Sequence, residues 1–323
     1  MLGVTLLLQA TLTLGVAGPA TSAEYLPVRL AESGGHFASE KVAARLQRIR
    51  SPAEAAEALA AGRVDLAATT LDAALRLGHV HGVPPRLVFG LTSAPPVALL
   101  VPADRRAELV DVAALAGKTV GIPAPGTPEA AALAGLLATA GLSIERVTAV
   151  SLGEPRLARA LVAGEVAAAV LADPWASRLV QEGRAAVLAD LRQPGGAERW
   201  LGAQGVHAAV FVAGNSRLGE PELAPVVRAL LRGMRQARTA PPGELVSPSG
   251  SAAAGEEGDW ALRVAGVRGV LVPDGLVTEA ALEAGIEQVR IRAQLPVAVK
   301  LPRHLERLLF QEPLRRAIAA TPR

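Results

Sequence analysis

Residues 57–70 read EALAAGRVDLAATT and residues 159–173 read RALVAGEVAAAVLAD, so that Leu59, Gly62 and Val64 recur as Leu161, Gly164 and Val166. Each copy describes one unit. A helix of Ala, Leu and Glu ends at a glycine suited to the left-handed position, and a buried strand of Val, Leu and Ala follows within two residues. A new helix start comes after each strand, at Thr69-Thr70-Leu71 in the first copy and at Asp173-Pro174-Trp175 in the second. A helix-strand-helix phrase used twice, far apart, predicts two similar α/β lobes, because a solenoid would need several closely spaced copies. Two lobes make a cleft.

Composition agrees with that reading. The chain has 323 residues, half of them hydrophobic, which is enough to fill two cores. Its pI of about 9.9 rests on a formal excess of only +3, with Arg and Glu scattered along the chain, so nucleic acid is not an expected partner. There is no cysteine, which removes disulfides, thiolate metal sites and a cysteine nucleophile.

The N-terminus admits two readings. Residues 2–18 are apolar and Thr21-Ser22-Ala23 resembles a cleavage site, but no Lys or Arg precedes Arg29. Alternatively Thr11–Val16 is the first core strand and residues 1–10 are the remnant of an export signal, which is the preferred reading because cleavage at 23 would remove a strand the first lobe needs. Beyond it, the pattern predicts a helix with Pro27 in its first turn and Tyr25 in the preceding loop, and a strand near 43–49. A helix follows, capped by Ser51 with Glu54 completing a capping box. The apolar run Leu87–Val101, broken at 92–96, reads as a crossing to the second lobe. That lobe is expected to open with a helix near 105–115 and to continue with a strand ending at Ile122, a helix over 128–140, a strand at 146–151 and a helix at 154–163. Gly205–Phe211 reads as the return crossing, 220–237 as a helix, 239–258 as a flexible loop, and 260–323 as a strand and closing helices. The boundaries expected are 1–10 for the signal remnant, 11–92 with 214–323 for the first lobe, and 93–213 for the second.

In open α/β sheets, ligands bind outside the carboxyl ends of the strands, where helix N-termini present free N–H groups. That rule selects Thr21 and Tyr25 after the first strand, Thr69 after the first repeat, Thr92 at the crossing, Thr127 before the 128–140 helix and Asp173 after the second repeat. Each Thr is equally well read as a plain helix cap, and only convergence on one cleft argues for ligand contact. Catalytic and metal sites are not expected. His36, His79, His81, His207 and His304 are scattered, and no nucleophile elbow or phosphate loop occurs. Ala116-Gly117-Lys118-Thr119 imitates the end of a phosphate loop but precedes a strand.

The residues Pro27–Glu32, Gly35–Ala38 and Ala58–Asp65 resemble the substrate-binding proteins of ABC importers for aliphatic sulfonates, taurine, nitrate and thiamine precursors. Leu115–Gly121 with Gly126-Thr127, Leu161–Val166 with Asp173-Pro174, and Pro273-Asp274-Gly275 follow in that family's order. The resemblance covers about residues 11–310. It implies an α/β periplasmic-binding-protein fold of type II and a monomer outside the cytoplasm without cofactor. Such a protein captures a small organic or oxyanion solute and delivers it to a membrane permease and its ATPase, and the ligand-facing positions carried over are the six named above. A self-sacrificing synthase within the family depends on cysteines, so that activity is excluded here. Departures from the pattern are Ala167, where the family usually has aspartate, the helix start Pro128-Glu129, and aromatics at only 2%. Pro128 removes a donor and Glu129 adds negative charge, which moves the expected solute from an oxyanion toward a neutral or cationic one. The alternative from another class is a cytoplasmic enzyme on the same scaffold, resembling menaquinone-pathway proteins that process futalosine derivatives.

Overall fold

The computed structural model describes residues 11–245, 256–292 and 307–320. Two five-stranded sheets organise the chain. The first contains β1 (Leu12–Ala17), β2 (Ala44–Ile49), β3 (Leu66–Thr70) and β4 (Pro85–Thr92). The second contains β5 (Val97–Pro102), β6 (Thr119–Ile122), β7 (Thr148–Ser151), β8 (Ala168–Ala172) and β9 (Ala185–Asp190), and β10 (Ala208–Ala213) returns to the first. The spatial orders are β2-β1-β3-β10-β4 and β7-β6-β8-β5-β9, one pattern used twice. The two repeated phrases supply the central strands β3 and β8.

In each sheet the strand that has just arrived from the other lobe runs antiparallel to both its neighbours. β5 opposes β8 and β9, and β10 opposes β3 and β4. Every residue of β5 and of β10 is buried, which explains their uninterrupted apolar sequences. β10 lies inside the span 93–213 expected for the second lobe, yet it pairs in the first sheet, so the return crossing is complete before residue 208.

The helices are α1 (Leu26–Ser33), α2 (His36–Ser39), α3 (Pro52–Ala60), α4 (Leu71–His81), α5 (Pro128–Thr139) and α6 (Glu154–Val162). They continue with α7 (Trp175–Gln181), α8 (Gly196–Leu201), α9 (Glu220–Thr239), α10 (Glu256–Arg268), α11 (Glu279–Arg292) and α12 (Glu312–Ala319). Gly62 and Gly164 end α3 and α6 at φ of 67° and 71°, the left-handed region that an L side chain enters only with strain. Asp65 fastens the first phrase to the sheet, accepting from the Thr13 N–H at 2.7 Å.

Several expectations are corrected. No α-helix spans 105–115. Two 3₁₀ turns, Ala103–Arg105 and Ala113–Leu115, stand there, because the Asp111 carboxylate captures the Ala114 N–H and Arg106 binds the Leu109 and Val110 carbonyls. Ser51 caps α3 by accepting from the Glu54 N–H at 3.2 Å, but the Glu54 carboxylate pairs with Arg50 instead of closing a capping box. After residue 260 the described residues contain no strand, only isolated bridges Leu87–Leu309 and Thr92–Leu271. The loop expected at 239–258 is a 3₁₀ turn at Pro242–Glu244 and the start of α10 at Glu256, with 246–255 outside the described residues, as are 1–10 and His304.

Candidate functional site

The carboxyl ends of β1, β6, β7 and β8 face one another across a cavity of about 300 Å³. After β1 come Thr21, Ser22 and Glu24; after β6, Thr127, Pro128 and Glu129; after β7, Glu154; after β8, Asp173. Pro96 and Val97 at the crossing form its back, and Arg263 and Gly266 of α10 close one side.

Three of the six residues predicted from sequence line this cavity. Thr21 does so from a loop held by the Arg29 guanidinium, which donates to the Pro19 carbonyl at 2.8 Å. Thr127 caps α5, accepting from the Ala130 N–H and donating to the Ala124 carbonyl, so its hydroxyl is already engaged. Asp173 is 5% exposed, and its Oδ1 accepts from the Ser177 N–H at 2.9 Å and from Arg192 at 2.8 Å. Its Oδ2 is buried without a hydrogen-bond partner. The other three are not among the residues that line it. Thr69 is fully buried and donates to the Pro52 carbonyl at 2.8 Å, tying β3 to the start of α3. Thr92 is fully buried at the crossing, where its carbonyl accepts from the His207 N–H and joins the two connecting segments. Tyr25 is 1% exposed, and burial, with Glu24 and Asp72 nearby, raises its phenol well above the ordinary value.

The sequence reading missed Glu24, Glu154, Arg263 and the arginine behind Asp173. Arg192 donates from Nε and Nη2 to the two oxygens of Asp190 and from Nη1 to Asp173, a buried triad of two carboxylates on one guanidinium. Burial works against the charge on Asp190, but the hydrogen bonds and charge of Arg192 outweigh it and hold the carboxyl below its ordinary value. The signal for part of the site was present: Thr13, Gly15 and Thr21 recur at one spacing as Thr119, Gly121 and Thr127, which makes the two cavity threonines equivalent positions of the two lobes. Arg263 carried no such signal, since it reaches the site only through the packing of α10.

The electrostatics are those of a carboxylate-lined cleft. Glu24 lies in the 3₁₀ turn that leads into α1, Glu129 is the second residue of α5, and Glu154 is the first residue of α6. Burial, with the Glu129 charge adding to it, pushes Glu24 up to about 7, against the opposing pull of its own backbone N–H, Arg29 and Arg263. Burial also raises Glu129, and burial with the Glu129 charge raises Glu154. Glu129 and Glu154 stand in the first turns of α5 and α6, where Pro128 and Pro155 also remove N–H donors, and Glu24 stands in the 3₁₀ turn before α1. A helix N-terminus offers an anion about 0.3–1 kcal/mol, and an ionised carboxylate in the same first turn competes with a bound anion for those N–H groups. Among the described residues, no group of three or more His or carboxylate side chains is arranged to hold a metal ion.

Two lobes of one strand order, joined by two crossing segments over a cleft, define a periplasmic-binding-protein fold of type II. The family model described as NMT1/THI5 like matches residues 22–243, and the chain belongs to that family. Solved structures share the fold. A protein of Bordetella bronchiseptica is 19% identical with TM-score 0.73, over 96% of this chain and 98% of that one. A putative periplasmic sulfonate-binding protein of Methylobacillus flagellatus is 16% identical with TM-score 0.68, over 96% and 94%. The periplasmic nitrate-binding protein of Synechocystis is 12% identical with TM-score 0.65, over 96% and 88%. At these identities the likeness carries the fold and nothing further. No curated protein matches the sequence. No helix among the described residues is long and apolar enough to cross a membrane.

Proposed function

We propose that this chain is the solute-binding component of an ABC importer. It captures a small molecule between its lobes outside the cytoplasm and presents the closed form, as a monomer, to a membrane permease and its ATPase. One observation carries the reading: a cavity of about 300 Å³, lined from both lobes, lies where two crossing segments allow the lobes to close on a ligand. Thr21, Thr127 and Asp173 are the ligand-facing residues, whereas Thr69, Thr92 and Tyr25 do not line the cavity. The first lobe comprises 11–92 and the chain from 208 onward.

A thermal-shift screen of the purified chain against small solutes, followed by mass analysis of the recovered solute, tests this. A ligand at about a hundred times its Kd adds about 2.7 kcal/mol, a shift of a few degrees for a chain of this size. A stabilising solute recovered unchanged supports the binding protein. A second reading, an enzyme on this scaffold, is favoured by one feature, the Glu24 carboxyl raised to about 7 in a cleft, where acid-base groups of enzymes are tuned. A solute recovered in altered form would replace the first reading by this one.

A further inference from the structure

We infer that α10 is a latch between the lobes. It is fastened to the first lobe, and the second lobe docks on it through the Arg178–Asp259 ion pair and the close approaches at Gly266 and Gly269, so that these positioning residues set the balance between open and closed forms. The inference rests on the solute-binding reading and names the element that controls closure over the same cavity.

The sequence of α10 gives it two faces. Trp260, Val264 and Val267 recur at i, i+4 and i+7, one apolar stripe of a helix, and all three are buried. The helix packs on α9 and on the 3₁₀ turns Ala23–Tyr25 and Pro242–Glu244, all in the first lobe. Two side chains fasten it there. Trp260 donates its indole N–H to the Leu245 carbonyl at 2.9 Å, and Arg268 donates to the Ala237 carbonyl at 3.0 Å and to the Ala240 carbonyl at the end of α9.

Asp259, Arg263 and Gly266 repeat the same spacing on the adjoining face, which is turned to the second lobe and the cavity. Asp259 pairs with Arg178 of α7, and Arg263 lines the cavity. Gly266 lies against Asp173 at the end of β8, where an added Cβ would stand 1.9 Å from Oδ2. Just past the helix, Gly269 lies against the backbone that follows β9: an added Cβ would stand 2.1 Å from the Arg192 carbonyl oxygen and 2.9 Å from the Pro194 nitrogen. Backbone cannot turn aside as the end of a side chain can, so this approach depends on the missing Cβ.

A hinge motion that parts the lobes leaves the Trp260 face in place and has to break the Asp259 face. Arg263 sits between Asp259 and Gly266, so the same docking sets its guanidinium in the cavity wall. The ion pair is the adjustable part of the latch. Its side chains are 37% and 31% exposed, and Arg178 also stands over the Trp175 ring, 5.8 Å from the centroid, which orients it from the α7 side. An ion pair this exposed adds little to stability, yet it shifts a two-form balance by a factor of about two to five.

The chain has no cysteine, so two introduced ones are its only labelling sites. The test is the inter-lobe distance, measured by pulsed electron spin resonance between nitroxides on A61C, exposed after α3, and A138C, exposed on α5, in the full chain without solute. Two distances are expected, the docked form giving one and the parted form the other. R178Q and D259N are each expected to raise the ratio of parted to docked form about two- to fivefold, and the exchange of R178D with D259R to return it toward that of the parent. G269A is expected to raise it further than either, and the two ion-pair variants, made at partly exposed side chains, carry the test if G269A does not fold. Raising salt from about 0.1 M to about 1 M is expected to raise the ratio in the parent and not in R178Q, because the screening length falls from about 10 Å to about 3 Å. Two distances whose ratio neither the variants nor salt moves overturn the latch and leave the solute-binding reading intact. A single distance in every variant and at both salts overturns the latch together with the lobe closure on which that reading relies.

Discussion

The two lobes say the same backbone sentence with different side chains at its end. In the first, β3 runs into Thr69, whose hydroxyl donates to the Pro52 carbonyl and is thereby engaged in holding α3. In the second, β8 runs into Asp173, a cavity-lining residue whose Oδ1 is held by Arg192 while Oδ2 is buried against Gly266 of α10 without a donor. Equal topology therefore does not mean equal duty. The first lobe's phrase is mainly structural, and the second brings a buried charge to the cleft at the cost of needing Arg192 behind it.

Breaking the triad should produce the largest effect. R192M removes the cation between Asp173 and Asp190, both less than a tenth exposed, and leaves two carboxylates buried without compensation. A loss of about 3–5 kcal/mol is expected, read by urea unfolding of the apo chain. A loss near zero would show that the triad's charges are already solvated.

The equivalent glycines of β1 and β6 sharpen the comparison next. A Cβ at Gly121 would stand 2.1 Å from Leu157 Cδ1, and one at Gly15 would stand 2.7 Å from Ile49 Cδ1. Both contacts are with side-chain ends, but the first overlap is deeper. G121A is expected to cost about 1–3 kcal/mol and G15A less, because overpacking grows with the displacement a neighbour must make. The reverse order in thermal melts would mean that Leu157 re-packs more easily than Ile49.

Acidity across the cleft gives a third difference. Glu24 belongs to the first lobe's turn and Glu129 and Glu154 to the second, and all three are raised. For Glu24 the carboxyl moves from 4.5 unfolded to about 7 folded. Between those values the folded chain holds a proton the unfolded chain has released, so stability present below pH 4.5 is lost as pH rises through 7. E24Q should flatten that decline, and melting curves of the two proteins should diverge progressively from pH 4.5 to 7.5, with the variant the more stable at the upper end. Parallel curves would place the titration elsewhere.

Much of this architecture is legible in the sequence because it depends on local signals. The twin phrases define β3 and β8, the unbroken apolar runs define β5 and β10, and the rule of strand carboxyl ends reaches Thr21, Thr127 and Asp173. Local signals also mislead: the helix-like run 105–115 gives way to turns because Asp111 satisfies a backbone N–H from outside a helix. Arg263 and Gly266 are illegible for another reason, since α10 meets the cleft only through tertiary packing behind a Gly- and Ser-rich stretch. Arg192 lies in the same position. Its partner Asp190 is two residues away, but nothing in the spacing reveals that Asp173 is the third member.

The smallest expected effect tests the comparison most directly. Thr69 is the next-to-last residue of β3 and Asp173 follows β8, the central strands of the two sheets, and if their duties differ as argued, conservative replacements should separate stability from binding. T69V keeps the shape and burial of the side chain and removes one hydroxyl that donates to the Pro52 carbonyl at 2.8 Å. The cost should be that of one hydrogen bond, about 1 kcal/mol, with solute affinity unchanged. D173N also retains its shape, but it replaces a charge at the cavity wall, so affinity should fall. T69V weakening the solute as much as D173N does would make the two turns functional equals, and the division of labour between the lobes would be wrong.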